Sequence, residues 1–226
     1  MIKILTNDLP GGWSPEDIEI SLGGSEEAVV NVSSKLSKID DVIVYHTQKE
    51  IVDLRYKNVL YLDRSKANAC ENDVFISFKD NSPWISKAKT RKMIHWTCDV
   101  EKPWDTSCLH EYINISDFQK SRNLWVNPNI SKVIPLGIDK KSLQKNEVQR
   151  DENSILYCSS PDRGLEVLLK DWESIKKNNP NLKLRVAYGF NNLIKCSNGN
   201  PNALRYRDNL IKQMEQEDIE YLGQLS

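Results

Sequence analysis

The sequence predicts an α/β fold, with parallel sheets and helices packed on their faces. Three observations point there. Short apolar runs alternate with stretches of helical periodicity through most of the chain. Two turns that lead into helices carry glycine beside polar residues. After one long polar stretch the strand and helix pattern starts again, as a second unit would require.

The elements follow in order. Ile2 to Leu5 reads as a short buried strand. A Gly- and Pro-rich stretch from Pro10 to Pro15 precedes a helix that begins near Ser25. Its apolar residues Ala28, Val32, Leu36 and Ile39 recur at helical spacing. Asp41 to His46 is a second strand and Val59 to Leu62 a third. Asp73 to Phe78, Arg91 to Trp96, Glu111 to Ser116 and Lys132 to Pro135 complete the first set. The run from Asp139 to Asn153 is polar and charged, and reads as a linker or an exposed helix. Beyond it, Ser154 to Cys158 is a strand and Gly164 to Lys177 a helix with a stripe of Leu165, Leu168, Leu169, Trp172 and Ile175. Leu182 to Tyr188 is another strand, Asn202 to Glu217 a last helix, and Ile219 to Leu222 a final short strand. The expected organisation is a domain over 1–140, a linker over 141–153, and an opening portion of a second domain over 154–226. That second unit shows about three strands where a doubly wound domain has five or six, so it reads as truncated at its C-terminal side.

Composition narrows the function. The 226 residues are 39% hydrophobic, enough for a core, and carry 31 Lys and Arg against 32 Asp and Glu. That balance produces no field that would draw the chain onto nucleic acid. The opening MIKIL lacks the basic start and long apolar run of a secretory signal, and no run approaches the ~20 apolar residues of a membrane span. A soluble, cytoplasmic protein is expected. The five cysteines are scattered without a C-x-x-C pair, so no metal site is expected, and reduced thiols are the simplest account.

Four segments carry candidate chemistry, each with a plainer reading beside it. Gly23 and Gly24 precede Ser25 at a helix start, where free amides and the helix dipole suit a phosphate or a sugar hydroxyl. The plain alternative is a loop-permitting Gly-Gly with Ser25 as the cap. Ser159 to Leu165 follows a strand and opens a helix, with Pro161 in the first turn and Ser160 as a possible cap. There Arg163, next to Gly164, is placed to hold a diphosphate bidentately. The alternative is a surface arginine paired with Asp162 or Glu166. His95 and Asp99 lie at the carboxyl end of a strand, where open α/β sheets hold ligands; His95 reads equally well as a satisfied core residue. Val133 to Asp139 ends a strand in a Pro and Gly turn and reads as a domain exit.

Taken together and in order, these segments resemble the retaining GT-B glycosyltransferases of the group 1, family 4-like kind. Leu22 to Glu27 is similar to that family's Gly-Gly-Ser/Ala-Glu loop. Val133 to Asp139 resembles its V-I-P-x-G-I-D run, and Ile155 to Leu169, with Asp162-Arg163-Gly164-Leu165, resembles the opening of its second domain. Asn114 to Ser121 and Ile219 to Gly223 are similar to further family segments. In place of the family's Trp-x-His-Asp this chain has Trp96-Thr97-Cys98-Asp99, and the family's donor-side pair of glutamates would lie beyond Gly223.

The resemblance implies a GT-B-like fold and transfer of a sugar from a nucleotide-sugar donor, such as a UDP- or GDP-sugar, to a carbohydrate, lipid or protein acceptor. The donor is a substrate, and no separate cofactor is implied. It assigns the diphosphate to Arg163 and Gly164, with Gly23, Gly24 and Ser25 facing donor and acceptor across an interdomain cleft. It leaves His95 and Asp99 as the groups that orient the acceptor. Pairing with a second chain, or self-association at the truncated sheet, is also expected. The competing class is a non-catalytic remnant or binding module of the same ancestry. A nicotinamide-dependent oxidoreductase is disfavoured because the G-x-G-x-x-G fingerprint is absent.

Overall fold

In a computed structural model of the chain, residues 1–9, 11–19, 22–138, 150–197 and 199–225 are described. They divide into two compact units, Met1–Leu143 and Gln144–Ser226. Asp139 and residues 141–149 of the expected linker lie outside the described residues.

The first unit is one eight-stranded sheet. Its strands are β1 (Ile2–Thr6), β2 (Val42–His46), β3 (Leu54–Tyr56), β4 (Val59–Asp63), β5 (Val74–Phe78), β6 (Lys92–Trp96), β7 (Glu111–Asn114) and β8 (Ser131–Val133). Their order is β3-β4-β2-β1-β5-β6-β7-β8, parallel except for β3 against β4. The chain steps outward from β1 to β2 and β4, then returns to the other side of β1 at β5. The switch point therefore lies between β1 and β5, where doubly wound sheets leave a crevice at the strand carboxyl ends. Parallel strands covered on both faces read as near-continuous apolar runs. All five residues of β1 are accordingly buried, Lys3 included. Lys3 is tolerated there because its ammonium pairs with Asp73 at 2.7 Å.

The antiparallel β3 was not foreseen from the sequence. It pairs with β4 through a two-residue turn, Lys57 and Asn58, both at positive φ (47° and 63°), which is the backbone that twisted hairpins require. Helix α1 spans Gly24–Leu36. The expected stripe is met in part, with Ala28 and Leu36 packed at the margin of the core. Val29, Val30 and Ser33 are buried, whereas Val32 is exposed and Ile39 lies beyond the helix, also exposed. Ser33 is buried without penalty because its hydroxyl reaches the Val30 carbonyl and the Tyr61 hydroxyl, each at 3.1 Å. Helix α2 (Asp117–Arg122) is capped by the Ser116 side chain on the Gln119 amide.

The second unit has three parallel strands, β9 (Ser154–Tyr157), β10 (Lys183–Ala187) and β11 (Ile219–Gly223), in the order β11-β10-β9. Helices α3 (Leu165–Asn178), α4 (Asn191–Cys196) and α5 (Pro201–Gln213) connect them. The expected stripe on α3 is the observed one: Leu165, Leu169 and Trp172 are buried against Leu184, Val186 and Leu210, with Leu168 and Ile175 packed at the margin. The α3 start is a correction. Ser160 does not cap the helix and Pro161 is not in its first turn; residues 161–164 form a turn, and Gly164 precedes the helix at φ 102°. The Ser160 hydroxyl bonds to Asp162 instead. No described helix is long and apolar enough to cross a membrane.

Candidate functional site

In the first unit the candidate residues gather at the carboxyl end of the sheet. Gly23 is the N-cap of α1, extended at φ −65° and ψ 146°, and no side chain caps the helix. Ser25 therefore lies inside the first turn rather than at the cap. The amides at this start are left for water or a ligand. Glu26 folds back over it, so that a Cβ on Gly23 would meet Glu26 Oε2 at 2.2 Å, whereas one on Gly24 would meet nothing within 4 Å.

Asp99 lies in the loop after β6, exposed, with its carboxylate 2.7 Å from Lys79 Nζ. Its backbone is fixed from two directions. The Thr97 hydroxyl accepts from the Asp99 amide at 3.1 Å, and Gln119 Nε2 donates to the Asp99 carbonyl at 2.6 Å. Lys79, which the sequence reading missed, follows β5 directly and holds φ at 55°, an uncommon conformation for a residue with a side chain. Between these charges sits Cys98. Burial pushes its thiol up to about 11, and Asp99 and Glu26 add to the effect against the opposing pull of Lys79. Glu26, Lys79 and Asp99 thus act on one point, and Cys98 is held as a neutral thiol rather than a nucleophile.

His95 is placed differently from the expectation that it touches an acceptor. Its side chain is fully buried, and both ring nitrogens are engaged. Nδ1 lies 2.7 Å from Ser77 Oγ, and Nε2 lies 3.0 and 3.1 Å from the two Glu101 oxygens. Glu101 also accepts from Tyr112 OH at 2.8 Å and Trp104 Nε1 at 3.2 Å. Burial raises the Glu101 carboxyl, but the bonds from His95, Tyr112 and Trp104 outweigh it and hold the group below the usual range. The Ser77–His95–Glu101 connectivity is that of an acyl-transfer relay. Ser77, however, is wholly buried within β5, where no substrate carbonyl can reach it. The network instead ties β5, β6 and β7 to the loop that carries Asp99.

In the second unit Arg163 and Gly164 share the β9–α3 turn. The Arg163 side chain is 76% exposed, and its Nε lies 4.0 Å from Asp162 Oδ2, too long for more than a loose pair. The turn is braced from behind: Tyr157 OH donates to the Ser160 carbonyl at 2.7 Å, and Tyr206 OH to the Pro161 carbonyl at 3.3 Å. The guanidinium is therefore presented on a fixed backbone. A cavity of about 420 Å³ on the α3 and α5 side is lined by Glu166, Tyr206, Asn209, Leu210, Lys212 and Gln213, of which the sequence had singled out only Glu166, as a partner for Arg163. Among the described residues, no three His, Cys, Asp or Glu side chains converge as metal ligands would.

Fold and turns together define an α/β protein with Rossmann-like units and glycine-led helix openings at the carboxyl side of its sheets. No protein-family model and no curated protein sequence matches the chain. Solved structures do. HepE of Anabaena, determined in complex with UDP and glucose, matches 99% of this chain and 69% of its own length at 10% identity, with a TM-score of 0.56. The α,α-trehalose 6-phosphate synthase of Burkholderia multivorans matches 100% of this chain and 73% of its own at 10% identity, with a TM-score of 0.59. The chain therefore has the GT-B-like α/β fold of these glycosyltransferases.

Proposed function

We propose that the chain is a nucleotide-sugar-dependent glycosyltransferase of the retaining, family 4-like kind, with the first unit serving the acceptor and the second the donor. The observation that carries this reading is the β9–α3 turn, where an exposed arginine and a helix start stand together at the end of a parallel strand. Likeness of fold to a protein solved with UDP and glucose supports it.

The chemistry follows from charge. As the bond between the anomeric carbon and the diphosphate breaks, negative charge grows on the leaving oxygens. Arg163 and the amides that open α3 stabilise that charge where it develops. On the acceptor side, Asp99 accepts a hydrogen bond from the attacking hydroxyl and orients it. Lys79 pairs with that carboxylate at 2.7 Å and fixes its position, and the Gly23 and Gly24 amides offer donors to the acceptor's other hydroxyls. His95 acts only through Glu101, by holding the Asp99 loop.

The test is binding and turnover across a panel of UDP- and GDP-sugars with wild type and Arg163→Ala. Loss of a charge-assisted bidentate contact is expected to weaken nucleotide diphosphate binding about tenfold or more. Equal affinity in the two proteins removes Arg163 from the donor site. Neither turnover nor nucleotide protection against melting, with the wild type folded, would leave a binding module of glycosyltransferase ancestry.

A further inference from the structure

β10 is followed at once by an aromatic residue in an unusual backbone conformation. Tyr188 follows β10 immediately, at φ 90°, and is 36% exposed. For a bulky side chain this backbone conformation is a genuine outlier. Such strain persists where the surroundings over-determine it, and it gathers at ligand clamps.

The surroundings here are specific. On one side, a Cβ on Gly189 would already be 3.4 Å from both the backbone nitrogen and the Cβ of Gln224, and Asn191 Nδ2 donates to Gln224 Oε1 at 3.3 Å. Next along the chain, Phe190 is buried with its ring 5.9 Å from that of Tyr221. Tyr188 is thus held between an anchored phenylalanine and the end of a strand. Gly189 itself lacks the positive φ, so the strain falls on the residue with the ring rather than on the neighbouring glycine.

The register gives the position a meaning. The last pair along β9 and β10 is Tyr157 with Val186, so Tyr188, two residues further on, lies at the same end of the sheet as the segment that leads into the Arg163 turn. Neighbouring strands are ~4.8 Å apart, so the ends of β9 and β10 adjoin. In doubly wound nucleotide-binding units the diphosphate lies at the first strand's turn, and the end of the second strand meets the nucleoside, usually through a carboxylate on the ribose. Here that end reads Ala187-Tyr188-Gly189-Phe190 and has no carboxylate. An aromatic ring in that place offers a stacking face.

We infer that Tyr188 is the platform on which the base of a nucleoside diphosphate stacks when its phosphates occupy the β9–α3 turn. This rests on the donor-binding reading given above and assigns it a base-contacting residue.

The experiment titrates UDP, GDP and inorganic pyrophosphate into wild type, Tyr188→Phe, Tyr188→Ala and Tyr188→Gly, and records melting temperatures. Tyr188→Phe is expected to bind both nucleotides within about twofold of wild type. The Ala and Gly variants are expected to lose about tenfold or more for UDP and GDP, the loss associated with one stacked base. Pyrophosphate affinity is expected to stay within about twofold throughout. Tyr188→Gly is also expected to melt above Tyr188→Ala, reversing the usual order, because only glycine adopts this backbone without strain. Unchanged nucleotide affinity in Tyr188→Ala, an equal loss for pyrophosphate, or an alanine variant that melts above the glycine one would each overturn the platform while leaving the donor site standing. Wild type that binds none of the three probes overturns the donor reading and the platform with it.

Discussion

Single residues in this protein are decided by what burial does to polar groups. His46 ends β2 with its ring 1% exposed, 4.3 Å from the Trp13 ring and 5.7 Å from that of Tyr61, and neither nitrogen makes a well-formed hydrogen bond. Burial drives its pKa down to about 4, against weaker opposing pulls from the Thr47 backbone and the Asp63 charge. An unfolded histidine titrates near 6.5. Below that pH the unfolded chain takes up a proton the folded chain refuses, so the stability present above pH 6.5 drains away until about pH 4. The loss amounts to about 3 kcal/mol across that window. Urea unfolding at stepped pH is expected to show this limb in wild type and to find it flattened in His46→Phe. Glu101 is the opposite case, a buried charge whose partners are all present. Glu101→Leu strands His95 Nε2, Tyr112 OH and Trp104 Nε1 and is expected to cost about 3 kcal/mol or more in denaturant unfolding at pH 7, while Glu101→Gln, which still accepts, costs less. Nothing in the sequence marked Glu101. It acquires its role from β5, β6 and β7, which converge on it from separate parts of the chain, and His95 reads as a ligand group only until that carboxylate is seen.

At the level of elements, the two helix openings differ in what glycine does for them. Gly24 is in ordinary helical space with no atom within 4 Å of a Cβ, so Gly24→Ala is expected to raise stability by a few tenths to about 1 kcal/mol. Gly164 sits at φ 102°, and Gly164→Ala is expected to lower stability by about 1–2 kcal/mol although nothing crowds its Cβ. Thermal unfolding of the two variants side by side checks both signs, and a matching sign in the two would show that the local backbone differs from the one described. The openings themselves were legible, because a strand followed by glycine and a helical stripe is a local pattern. Their caps were not. Ser25 and Ser160 both have cap chemistry, and the cap positions fall instead on Gly23 and Gly164, since where a helix starts is settled by the path of the incoming chain. The face of α1 was legible only in part, at Ala28 and Leu36, for a related reason. Val32 and Ile39 are as apolar as Val29 and Val30, and only the sheet beneath decides which pair is covered.

Across the whole molecule, the cores are separate. The clusters around Val44 and Phe75 draw only on residues of the first unit, and the cluster around Trp172 only on the second. Leu169→Ala is expected to cost the second unit about 2–5 kcal/mol and leave the first unit's unfolding midpoint in place, so that far-UV circular dichroism resolves two transitions. A single shifted transition would mean that the units unfold together. The alternation of apolar runs with helical stripes was sufficient for the α/β class and for most strands to within a residue or two, because period and burial are written locally in a parallel sheet. Sequence order also placed Gly23 and Gly24 at a helix start, and Asp99, Arg163 and Gly164 just beyond strands. The hairpin at Lys57 and Asn58, the Lys79–Asp99 pair, the retreat of His95 into the core and the strain at Tyr188 came only with the fold. The hairpin apart, whose two strands adjoin in sequence, each depends on strands distant in sequence meeting at one end of a sheet, and register of that kind is set by long-range packing that no local pattern records.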